Sequence, residues 1–75
     1  MKSEEFQRIR EKLELDRNEF AEVFGLAGYM SVADIENGVR NPSKLTIILL
    51  RTLDAIPLAR AKEIIELMRR HGKIK

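Results

Sequence analysis

The chain has no cysteine, no tryptophan and a single histidine, His71. Without thiols there is neither a disulfide framework nor a thiolate metal site to brace a small fold, and one imidazole is too few for a zinc centre. No metal and no cofactor is therefore expected, and packing alone has to hold the core. The longest apolar run, Ile47–Leu50, is far too short to cross a bilayer, and Met1-Lys2-Ser3-Glu4-Glu5 has no signal-peptide character. A cytoplasmic chain with no membrane partner is the expectation. Also missing are a nucleophile–base–orienter set, a glycine-rich phosphate loop and a metal-ligand cluster. Neither an enzyme nor a small-molecule substrate is expected.

What is present suits one packed domain. The 75 residues are 44% hydrophobic and 35% charged, enough for a core and a solvated surface and too few for two cores. The net charge of +2 is small but unevenly spread. Residues 1–36 carry five basic side chains against nine acidic ones, a balance of −4. Residues 37–75 carry nine basic against three acidic (Asp54, Glu63 and Glu66), a balance of +6. That asymmetry suggests an acidic partner for the second half, although solvated helices also carry charge this way.

The punctuation is helical throughout. Ser3 is placed to cap a first helix, with Glu4 and Glu5 in its first turn and Phe6, Ile9 and Leu13 as its apolar stripe. Asp16-Arg17-Asn18-Glu19 resembles a capping box that opens a second helix. Phe20 and Phe24 share its inner face, and Gly25 is the expected left-handed stop. Leu26–Met30 reads as a connection. Ser31 then caps a third helix running to about Asn37 and stopped by Gly38. Asn41-Pro42-Ser43 is a turn, and Ser43 caps a fourth helix with Leu45, Ile48, Leu49, Leu53 and Ile56 as its apolar positions. Pro57 interrupts the pattern, and a fifth helix follows to His71 and Gly72. The expected class is all-α, a compact bundle of about five short helices. Its core spans about residues 3–56 and its C-terminal helix about residues 58–71.

The second and third helices, with the short turn between them, have the proportions of a helix-turn-helix, in which the second helix enters the major groove of duplex DNA. Three stretches sharpen the comparison: Ile9-Arg10-Glu11-Lys12-Leu13, Glu19-Phe20-Ala21-Glu22-Val23-Phe24-Gly25 and Ile35-Glu36-Asn37-Gly38-Val39-Arg40-Asn41-Pro42-Ser43. In order and spacing the chain resembles the lambda-repressor-like (XRE) family of helix-turn-helix regulators over roughly residues 6–56, with one extra residue between Gly25 and Glu36. Leu49-Leu50-Arg51-Thr52-Leu53-Asp54 followed by Pro57 also looks like the end of this domain in short bacterial regulators and antitoxins.

The resemblance implies roles residue by residue. Arg10 matches a position whose guanidinium pairs with the glutamate matched by Glu36, a structural pair. Ala21 matches the small residue where the two helices cross, and Val32 and Ile35 the buried side of the third helix. Tyr29, Met30, Ser31, Ala33, Asp34 and Asn37 are left for the bases or the groove walls. Arg17 occupies a place usually held by a phosphate-touching glutamine, and Arg40, Lys44 and Ser43 flank a turn that also meets the DNA backbone. Each of these four also reads as an ordinary solvated side chain. The groove-facing set is base-poor, because Tyr29, Met30, Ala33 and Asp34 include none of the strong bidentate readers. Asp34 can accept from cytosine, and Tyr29 and Met30 either meet thymine methyls or pack on the protein.

The implied function is sequence-specific duplex-DNA binding by a small transcriptional regulator, expected to be a repressor, at a bacterial, phage or archaeal nucleoid. The alternative is a protein-interaction or dimerisation module, of adaptor or antitoxin type, that reuses the fold. Beyond the resemblance, Leu58, Ala61, Ile64, Ile65, Leu67 and Met68 make too broad an apolar face for an isolated surface helix. Part of this face must cover the core of its own domain, and the helix is expected also to pair with its twin in a homodimer; the alternative is a helix folded wholly onto its own domain. Arg69, Arg70, Lys73 and Lys75 either add phosphate contacts or form a frayed basic tail.

Overall fold

Residues 1–72 are described by a computed structural model, and among them there are five helices and no strand: α1 (Ser3–Lys12), α2 (Arg17–Phe24), α3 (Tyr29–Glu36), α4 (Lys44–Ala55) and α5 (Leu58–His71). The class is all-α, as the punctuation implies. Lys73 and Lys75 of the basic tail lie outside the described residues. Among the described residues no helix is long and apolar enough to cross a membrane.

The core forms where the apolar stripes of the five helices meet. Phe6 and Ile9 of α1 and Leu13, its C-terminal cap, are buried, as their spacing predicts, against Phe20, Ala21 and Val23 of α2 and Val32 and Ile35 of α3. Phe20 sits at the centre, edge-on to Phe6 with ring centroids 5.0 Å apart and stacked on Phe24 at 4.1 Å. Leu50 and Leu53 of α4 and Ala61 and Ile65 of α5 close the core from the other side.

The predicted caps hold in two places and fail in two. Asp16 accepts from the Glu19 amide at 2.7 Å while the Glu19 carboxylate accepts from the Asp16 amide at 3.0 Å, a complete capping box. Ser43 likewise accepts from the Thr46 amide at 3.2 Å. Ser3, by contrast, is the first helical residue and donates to the neighbouring Glu4 carboxylate, so α1 starts at Lys2 with no side-chain cap. α3 begins two residues before Ser31, from Gly28, which leaves Ser31 in the first turn and makes Asn37 the C-terminal cap. Gly25 and Gly38 take the left-handed conformation with φ of 70° and 78°. Glu14 does the same at φ 60°, turning the chain between α1 and α2 with no glycine to signal it.

α4 departs most from its predicted face. Its buried positions are Thr46, Leu50 and Leu53, whereas Leu45 and Ile48 stand 65% and 51% exposed. In α5 the broad stripe divides. Ala61 and Ile65 are buried and Leu58 and Met68 pack against the same core, so these four serve their own chain and are removed from the predicted dimer surface. Ile64 and Leu67 remain exposed.

Ion pairs lace the outer surface. Asp54 of α4 takes Lys12 at 2.8 Å and Arg8 at 3.2 Å from α1, and Lys62 of α5 meets Glu14 at 2.8 Å. The Lys12 and Arg8 hydrogen bonds hold the Asp54 carboxyl below its ordinary value. A lowered folded-state value means stability that is present at neutral pH and lost as pH falls below about 4. Asp54→Asn is therefore expected to flatten the acid limb of a pH–stability curve and to leave its shape above pH ~6 unchanged, as read by thermal unfolding across a pH series.

Candidate nucleic-acid interface

α2 and α3 pack against each other across the turn Gly25–Gly28, and the outer side of α3 is covered by no other element among the described residues. That side carries Met30 at 66% exposure, the half-exposed Tyr29 and the exposed Asn37, with Ser31 and Asp34 partly buried along its edges. Ala33 does not belong to it. Its methyl group is buried with Val32 and Ile35, 5% exposed, and the predicted base contact is withdrawn.

The expected structural pair is present. Arg10 of α1 donates through Nε to Glu36 Oε2 at 2.5 Å and through Nη2 to Oε1 at 3.3 Å, while its Nη1 donates to the Leu15 carbonyl at 2.8 Å. The Glu36 side chain is only 1% exposed. A second cation shares this carboxylate. Arg17, the first residue of α2, reaches Glu36 Oε1 through Nε at 3.1 Å and through Nη2 at 3.0 Å. Its Nη1 donates to the Tyr29 hydroxyl at 2.9 Å, and the guanidinium carbon lies 5.3 Å from the Tyr29 ring centroid. The hydrogen bonds to Tyr29 and then Glu36 raise the Arg17 guanidinium above its ordinary value, so it stays a cation.

This geometry gives Arg17 a structural role beside the phosphate contact expected of it: its Nε, Nη1 and Nη2 all meet partners within the protein and strap α2 to both ends of α3. Ser43 is similarly occupied, since its hydroxyl accepts from the Thr46 amide and donates to Thr46 Oγ1 at 3.0 Å. Arg40 and Lys44 differ. Both are exposed, and neither side chain forms a hydrogen bond or ion pair among the described residues. The backbone amide of Arg40 is tied to the Asp34 carbonyl at 3.1 Å, which fixes the loop after α3 while leaving the side chain in solvent. A shallow cleft between α3 and α4 brings Ser31, Arg40, Asn41 and Ser43 together. Lys2 joins Arg40 in a second cleft beside the start of α1, a cation the sequence gives no reason to single out.

The site thus holds a buried, partnered charge cluster behind α3 and, beyond it, the cations Arg40 and Lys44, which have no side-chain partner among the described residues. No family model, no curated protein and no solved structure matches the chain.

Proposed function

We propose that this chain is a small helix-turn-helix domain of lambda-repressor-like type that binds duplex DNA, with α3 offered to the major groove and α2 lying across the backbone. The observation that supports this reading most strongly is the arrangement of charge around α3. The carboxylate at its end is neutralised by two arginines, its outer side is uncovered, and the neighbouring cations Arg40 and Lys44 are left free. Arg40 and Lys44 are the phosphate contacts in this account. Met30, Ser31, Asp34 and Asn37 face the bases or the groove walls, and the regulator is expected to repress, in a cytoplasmic, nucleoid-associated setting. Mobility shift of random-sequence duplex at low salt tests it, because non-specific binding needs only the phosphate contacts.

Replacing Lys44 or Arg40 by alanine is expected to weaken binding evenly across sequences and to reduce the slope of log K against log salt by about 0.9 for each cation removed. A changed base preference in the Arg40→Ala protein contradicts that assignment.

Two copies pairing through Ile64 and Leu67 of α5 complete the proposal. A two-fold pair reading adjacent half-sites needs its two α3 helices about 34 Å apart, one turn of DNA, and a domain of 31 × 30 × 20 Å is of a size compatible with that spacing. Sedimentation equilibrium at micromolar concentration is expected to give a dimer and Leu67→Glu a monomer. A monomer in the unaltered chain removes the pairing.

A second reading, a protein-interaction module, is favoured by the exposed Val39, Leu45 and Ile48 around the start of α4, which are unusual neighbours for a phosphate-contacting loop. It predicts no shift of duplex DNA at any salt concentration.

A further inference from the structure

Among the polar side chains on the outer side of α3, Tyr29 is the one whose direction is set by another side chain among the described residues. Its phenol oxygen accepts from Arg17 Nη1 at 2.9 Å, and its ring lies against the same guanidinium. An oxygen that receives a hydrogen bond from a cation still has its own proton to give, and that proton points away from the donor. No acceptor for it exists among the described residues, and Tyr29 is 46% exposed, so the O–H is turned to solvent. Accepting from a cation also draws electron density from the phenol oxygen and makes the O–H a better donor than that of an isolated tyrosine.

We propose that Tyr29, aimed by Arg17, donates a hydrogen bond to a backbone phosphate of duplex DNA, with Arg17 as a positioning residue and not itself a contact. This rests on the DNA-binding reading above. A phosphate is the fitting acceptor for two reasons. Arg17 places a cation directly against the phenol, and the Glu36 carboxylate that faces it is shared with Arg10. Tyr29 lies against Arg17, the first residue of α2, and α2 is the helix of the motif that crosses the DNA backbone. The arrangement also explains why Arg17 need not reach the DNA: leaving its present partners would give one oxygen of an almost wholly buried carboxylate only the longer 3.3 Å hydrogen bond from Arg10 Nη2.

The test is a double-mutant cycle of Tyr29→Phe and Arg17→Lys, read as affinity for random-sequence duplex over a salt series. Phenylalanine keeps the ring on the guanidinium and removes only the hydroxyl. Tyr29→Phe is expected to weaken binding by about ten-fold or more on every sequence, as for other hydrogen bonds to charged groups. The salt slope stays unchanged because no cation is lost, and the thermal unfolding midpoint falls only slightly, because the hydrogen bond lost to Arg17 is half-exposed. Arg17→Lys keeps the charge and loses the fork, and in that background Tyr29→Phe is expected to cost little more. Tyr29→Phe binding as tightly as the unaltered chain overturns the proposal while leaving the DNA reading intact. An altered base preference assigns Tyr29 to a base and overturns the phosphate contact. Additive losses make Arg17 a contact in its own right and overturn its positioning role. Failure of the unaltered chain to bind duplex at all removes the DNA reading, and this inference with it.

Discussion

Glu36→Ala is expected to lower the stability of the domain by about 3–5 kcal/mol, the usual cost of removing one partner from a buried ion pair. A chain of this length holds only about 4–11 kcal/mol in all, so the variant sits close to unfolding. The loss comes mainly from Arg10, whose side chain is 10% exposed and which keeps only the Leu15 carbonyl as a strong acceptor. Arg17 contributes less, because its side chain is 27% exposed and can turn to water. Arg10→Ala should therefore approach Glu36→Ala in cost, with Arg17→Ala well below both. Glu36→Gln, which keeps the shape and some of the hydrogen bonds, falls between. Urea unfolding reads the series directly. A loss below about 1 kcal/mol for Glu36→Ala would put the cluster in the class of surface ion pairs and contradict its role in fixing α3.

Phe20→Ala is the other large expected loss, again about 3–5 kcal/mol. Phe20 is fully buried and joins α1 to α2 through Phe6 and Phe24. Truncation leaves a cavity that neither neighbour can fill without breaking its own packing, and two aromatic contacts worth ~0.5–1.5 kcal/mol each disappear with it. Phe20→Leu should recover a good part of this by refilling the volume. The two substitutions probe different joints: Phe20 holds α2 on α1, while Glu36 holds both of them on the end of α3. Equal losses for Phe20→Leu and Phe20→Ala in the same urea titration would mean that volume is not what Phe20 supplies.

Much of the fold was legible because local chemistry decided it. The Asp16–Glu19 capping box, the left-handed Gly25 and the Phe6–Ile9–Leu13 stripe all involve residues within one or two turns of each other, where helical spacing alone brings partners together. α3 was misplaced at its start because Ser31 looks like a cap, whereas the chain enters the helix from Gly28 with no capping side chain. α4 offers apolar residues on two faces, and periodicity does not say which one meets the core. Thr46, Leu50 and Leu53 are buried there, and the predicted Leu45 and Ile48 are outside. The Arg10–Glu36 pair was legible only through resemblance. The Arg17–Tyr29 bond was not legible at all, because it depends on how α2 crosses α3, and nothing in either helix encodes a partner across that crossing.

Amide chemical-shift mapping shows most directly whether α3 and the loop after it face the DNA. Random-sequence duplex is added at low salt to the isotope-labelled chain, and the displaced backbone resonances are assigned to residues. Displacements are expected to concentrate in Tyr29–Asn37 and across Arg40, Ser43 and Lys44, with α5 unmoved. Displacements confined to Leu45, Ile48, Ile64 and Leu67, or none under conditions where the duplex is in excess, would contradict that orientation.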